Sequence, residues 1–145
     1  MTVQTQTSPA SVSSVPKWRV VLTIAAAAIV AVAANTVVST AAQAFGASSS
    51  FTPLSVALYG PFTAAGLVAG YVGWLVVRRR AGRPITVLRV LVPVLLLLSF
   101  VPDTVNAVVH FIPGSSLTAI FGLMIMHVIV VAVGVPVYQR LAPVS

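Results

Sequence analysis

From Val20 to Val77 the chain runs for 58 consecutive residues without Asp, Glu, Lys or Arg. As a single helix rising ~1.5 Å per residue this stretch would reach roughly 87 Å, against about 30 Å of bilayer hydrocarbon. Two membrane spans and a turn must therefore lie within it. Gly46 to Pro53 is a cluster of turn formers, with Gly suited to a helix C-terminus and Pro to the restart. The expected spans are about 18–44 and 54–77.

The rest of the chain follows the same logic. Arg78, Arg79, Arg80 and Arg83 form a basic knot ending at Pro84, whose missing N–H suits a first helical turn. The third span is expected at 85–110 with a break near Pro102. Only 13 uncharged residues separate Arg89 from Asp103, so this helix absorbs a charge, and Arg89 can carry its guanidinium back to the headgroups along its stem. Ile112 to Ser116 is the next turn, with a serine as N-cap, and the fourth span is expected at 117–138. Residues 1–16, rich in Ser, Thr and Gln, read as a disordered tail, residues 17–140 as the single domain and 141–145 as a short tail. Lys17 and Arg19 before an apolar stretch, with Ala42 and Ala44 at its end, also allow a cleaved signal peptide, although the stretch exceeds the usual 7 to 15 residues.

Composition agrees. Hydrophobic residues make up 59% and charged residues 6% of the 145, too little polar surface for a water-soluble globule. The fold class is all-α, an integral membrane four-helix bundle whose obligatory partner is the lipid bilayer. The formal net charge of +7 does not form a nucleic-acid patch, because the basic residues sit at the ends of apolar runs. All eight fall on one side of the expected topology, and the loops at 45–53 and 111–116 carry none. The positive-inside rule then places both termini in the cytoplasm, with Trp18, Trp74 and Tyr138 near that interface. The absence of cysteine removes disulfides and thiolate metal sites.

Helices in lipid associate through close packing and interhelical hydrogen bonds. Thr63, Gly66, Gly70 and Gly73 form one small-residue stripe, and Ala28, Ala31, Asn35, Ser39 and Ala42 form another. These faces are expected to meet across the short outer loop, as a seam of the fold or, alternatively, of a homo-oligomer. Pro61 and Pro93 are expected to kink their helices.

The intramembrane polar residues are the functional candidates. Arg89, Ser99, Asp103, Asn106 and His110 share one face if the third helix continues through Pro102. Counting ~1.5 Å per residue from the cytoplasmic ends puts Asn35, Ser99 and His127 in a layer roughly 20–24 Å up, Asp103 at about 27 Å and His110 at about 37 Å. Asn35, Ser99, Asp103, Asn106 and His127 thus form the candidate polar cluster. Asp103 after Pro102 also reads as the first turn of a short water-exposed helix, and His127 as an interhelical hydrogen-bond partner. Ser99, His127 and Asp103 include the residue types of a nucleophile triad, but no strained elbow or oxyanion-hole signature accompanies them. His110 and His127 stand too far apart in height to share a metal, and Met124 with His127 at three-residue spacing offers only a pair of soft ligands. No phosphate loop, dinucleotide fingerprint or haem motif is present, so no cofactor is expected.

Arg19 with Asn35 in the first span, the arginine-rich central loop, the Leu98 to Pro102 break and the Met126–His127 pair together resemble an actinobacterial family of small four-span membrane proteins of unknown function. The resemblance covers most of the chain. It implies a bacterial plasma-membrane four-helix protein and supplies no reaction. Two functional readings remain open. One is a non-enzymatic accessory or structural subunit that packs with itself or another membrane protein. The other is a small transporter or ligand-binding protein using an outward-facing polar layer.

Overall fold

Apolar runs this long satisfy their own backbone only as helices, since lipid offers no partner for N–H or C=O groups. The computed structural model describes residues 15–144, and among them the fold is all-helical: α1 (Lys17–Ala44), a 3-10 turn (Thr52–Leu54), α2 (Val56–Arg80), α3 (Pro84–Ser99), α4 (Val101–Val109) and α5 (Leu117–Leu141). α1, α2, the α3–α4 pair and α5 make four helices long and apolar enough to cross a membrane. Most of the tail expected at 1–16 lies outside the described residues.

Local chemistry sets the boundaries. α1 ends in a Schellman motif: Gly46 at φ +97° donates to the Gln43 carbonyl at 3.0 Å, and Ala47 donates to that of Ala42 at 2.9 Å. Pro84 opens α3, and Ser116 caps α5 by accepting from the Ala119 N–H at 3.2 Å. Phe100 separates α3 from α4, two residues before Pro102. Proline there removes the N–H that would bond to the Leu98 carbonyl and crowds that oxygen with its ring. Pro61, Pro93 and Pro136 lie inside α2, α3 and α5 without ending them.

α1 buries Ile24, Ala27, Ala31, Asn35, Ser39 and Ala42, one stripe at helical spacing, and its most extensive contact is with α5. The two helices come close at Gly122, where an added Cβ would stand 3.2 Å from the Ala42 Cβ. Hydrogen bonds join α1 to α2 and to the turn before it: Asn35 Nδ2 donates to Thr63 Oγ1 at 3.0 Å, the Thr36 and Tyr59 hydroxyls pair at 2.8 Å, and Ser39 Oγ donates to the Leu54 carbonyl at 2.7 Å. The two arginine-free loops also touch. Gly114, at φ +78°, approaches so closely that a Cβ would lie 2.8 Å from Ser50 Oγ and 3.3 Å from the Phe51 nitrogen.

The glycine stripe of α2 has a different neighbour from the one expected. Thr63 does meet Asn35, but a Cβ at Gly66 would approach Val130 and one at Gly70 the Tyr138 ring, both on α5, while Gly73 has nothing within 4 Å. The reason lies in helix rotation: Thr63, Leu67 and Trp74 are the buried face, which turns the glycines toward the space between α2, α3 and α5.

At the arginine-bearing end, Leu67, Trp74, Tyr138 and Ala142 belong to one apolar cluster, and Phe51, Leu54, Ile120 and Met126 belong to a second toward the other end. Trp74 and Tyr138, expected as interface anchors, are buried; Trp18 is exposed, with the Arg19 guanidinium 5.3 Å from its ring centre. Ala142 and Val144 are buried, the Ala142 carbonyl accepts from Trp74 Nε1 at 2.8 Å, and that of Val144 accepts from Gln139 at 3.2 Å. Placing those carbonyls on indole and amide donors offsets the cost of burying them beside an apolar core.

Candidate functional site

α3 is the loosest member of the bundle. Leu88 is its one buried residue, so a groove of about 690 Å³ remains among α2, α3, α4 and α5. Its walls are mostly apolar. Gly66, Gly70 and Gly73 contribute a side without side chains, facing Leu91, Leu95 and Val92 of α3 and Val130, Val131 and Val135 of α5.

All five residues of the expected polar cluster line this groove: Asn35, Ser99, Asp103, Asn106 and His127. Their bonding differs sharply. Ser99 Oγ donates to the Leu96 carbonyl at 2.6 Å, a local bond common for serine near a helix break. Asn106 is 1% exposed; its Oδ1 accepts from the Ile112 N–H at 3.0 Å, holding the loop after α4, while its Nδ2 is buried without a partner among the described residues. Asn35 leaves Oδ1 in the same condition.

Asp103 is 7% exposed, so the short helix α4 does not present it to water. Its Oδ2 lies 3.5 Å from His127 Nδ1, a contact that side chains on neighbouring helices can make across an offset of about one turn. His127 Nδ1 lies closer to the Leu123 carbonyl, at 2.8 Å. A carbonyl only accepts, so Nδ1 carries the proton and directs it there. Asp103 Oδ2 is left without a hydrogen bond. The His127 ring stands edge-on to Phe100, with centroids 6.1 Å apart.

His110 has no part in this arrangement. It closes α4 in the left-handed conformation at φ 53°, exposed, with Nδ1 3.2 Å from the Val108 carbonyl. Among the described residues no three His, Cys, Asp or Glu side chains converge as metal ligands. The groove itself had no signal in the sequence, because it depends on how α2 and α3 rotate and separate. Thr63, by contrast, was legible as the polar end of the α2 stripe.

Fold and site together define an all-helical protein with four helices long and apolar enough to cross a membrane, enclosing a mainly apolar groove with a polar cluster. The chain belongs to a family of unknown function, DUF6069, whose model matches residues 15–143. No curated protein and no solved structure matches it.

Proposed function

We propose that this chain is a non-enzymatic, multi-pass protein of the bacterial plasma membrane that binds an amphiphilic small molecule in the groove. The observation that carries this reading is the combination of about 690 Å³ of mostly apolar space with unpartnered buried polar atoms on Asn35, Asp103 and Asn106. A volume of this size suits a ligand of lipid or drug dimensions, and a few convergent polar groups in an apolar wall are how such sites orient what they hold. A protein that only packed its helices together would gain nothing from leaving those atoms unpaired.

Labelling tests the reading. The full chain in nanodiscs is exposed to a dodecyl probe bearing a photoreactive diazirine, and labelled positions are mapped. Labels are expected on the groove faces of α2, α3 and α5. Gly66→Leu, which places a side chain into the groove, is expected to reduce them severalfold while the bundle stays assembled. Labelling spread evenly over lipid-facing positions, unchanged by Gly66→Leu, would overturn the reading.

Orientation is part of the proposal. All eight Lys and Arg residues fall at the helix ends shared by the two termini and the α2–α3 turn, which supports cytoplasmic termini. A reporter active only in the periplasm should be silent when fused after residue 80 or 145 and active when inserted near residue 48. Activity at the C-terminus would reverse the assignment.

A second reading, an accessory subunit docking against a partner membrane protein or another copy, is favoured by the loose hold on α3, with Leu88 as its one buried residue. Cross-linking in mild detergent tests it. A reproducible cross-linked species through α3 supports it, and recovery of monomer alone counts against it.

A further inference from the structure

We propose that the molecule held in the groove carries a positively charged ammonium headgroup, bound by the carboxylate of Asp103. The inference rests on the groove being a binding site, and it adds the chemical class of what binds there.

Asp103 is the only acidic residue of the chain. It is buried, it lines the groove, and its Oδ2 has no hydrogen-bond donor among the described residues. The cation nearest in chemistry is His127, but its Nδ1–H points at the Leu123 carbonyl, 2.8 Å away, and Asp103 lies at 3.5 Å. Among the described residues no Lys or Arg pairs with Asp103; Arg89, the one furthest inside its helix, precedes it by 14 residues, beyond the interruption at Phe100. The second orphaned acceptor is Asn35 Oδ1, also on the groove. Among the buried atoms without a hydrogen-bond partner, the groove-lining residues thus carry two acceptors, one of them a carboxylate oxygen, and one donor, Asn106 Nδ2. An ammonium group has up to three donors and no acceptor, and so matches this set. A carboxylate or phosphate head would bring like charge to Asp103 inside a low-dielectric wall, where the repulsion is strongest. Below the head, the glycine side of α2 and the Leu and Val side chains of α3 and α5 accept an unbranched hydrocarbon body.

The test uses three diazirine-bearing dodecyl probes that differ only in their heads: amine, alcohol and carboxylate. Groove labelling of the full chain in phosphatidylcholine nanodiscs is normalised to each probe's partition into protein-free discs. Charge-assisted hydrogen bonds are about twice as strong as neutral ones, so the amine is expected to exceed the alcohol by roughly tenfold, with the carboxylate lowest. Asp103→Asn is expected to bring amine and alcohol to near parity while alcohol labelling persists. Should that variant fail to fold, the ranking of the three heads on the unaltered chain still decides. Equal labelling by all three heads, or preference for the carboxylate, overturns the inference and leaves the groove as a binding site. Labelling of the groove by none of them overturns both. Adding phosphatidylethanolamine to the discs separates the sources: loss of amine labelling assigns the site to a lipid ammonium head, and its persistence to a free amphiphilic amine, either of which supports the proposal.

Discussion

Tyr138→Ala is expected to lower the unfolding free energy by about 3–5 kcal/mol, the range for truncating a large buried aromatic side chain. Tyr138 is 6% exposed and holds α5 to α2 at the arginine-bearing end. Its ring lies 5.8 Å from that of Tyr71 and 5.9 Å from that of Trp74, centroid to centroid, and its hydroxyl donates to the Leu67 carbonyl at 2.7 Å. Gly70 and Gly134 provide the space: a Cβ on either would stand within 3 Å of the Tyr138 hydroxyl. Truncation removes both the packing and the hydrogen bond. Tyr138→Phe separates these contributions by keeping the ring, and should cost only about 0.6–1.5 kcal/mol. Reversible denaturant titration of the two variants in mixed micelles measures the difference. A Tyr138→Ala variant within about 0.5 kcal/mol of the parent, well below the normal truncation cost, would show that this aromatic cluster does not hold the bundle together.

Gly122→Leu is expected to cost about 3 kcal/mol by forcing α1 and α5 apart. An added Cβ at Gly122 would already stand 3.2 Å from Ala42 Cβ and 3.6 Å from the Leu54 side chain. The rest of a leucine has no room without displacing α1 or the turn before α2. Gly122→Ala makes a graded test, and combining it with Ala42→Gly gives back the lost space. The double variant should recover most of the stability lost by Gly122→Ala, a positive coupling that independent sites would not show. Strict additivity in that cycle would mean that α1 and α5 do not approach each other at this point.

Legibility differed between elements for physical reasons. The turns could be read because Gly46, Pro84 and Ser116 are residue types whose backbone or side-chain chemistry suits those positions almost regardless of surroundings. The α1 stripe was readable because small and polar residues recur along it at helical spacing, and five of its six buried positions are Ala, Asn or Ser. The partner of the α2 glycines was not readable. Glycine permits close approach by any neighbour, so the stripe marks a face without saying what covers it. Gly122 and Gly134, which make the closer approaches on α5, stand apart in a run of large apolar residues and form no visible stripe. Trp74 and Tyr138 have the composition of interface anchors, and only their packing shows them turned inward.

By itself the sequence determined that the chain forms four apolar helices, where three of the turns fall, and that the cations collect at one set of helix ends. These follow from free energies that act residue by residue: the cost of an unpaired backbone group or charge in hydrocarbon does not depend on which helix lies alongside. Only the tertiary structure decided which faces meet, that α3 stands off and leaves a groove, that Asp103 comes within 3.5 Å of His127, and that Ala142 packs back onto Trp74. Those outcomes depend on helix rotation and on the interruption at Phe100. Between apolar helices, rotation is chosen by differences in packing and by a few hydrogen bonds, which belong to pairs of surfaces rather than to single residues.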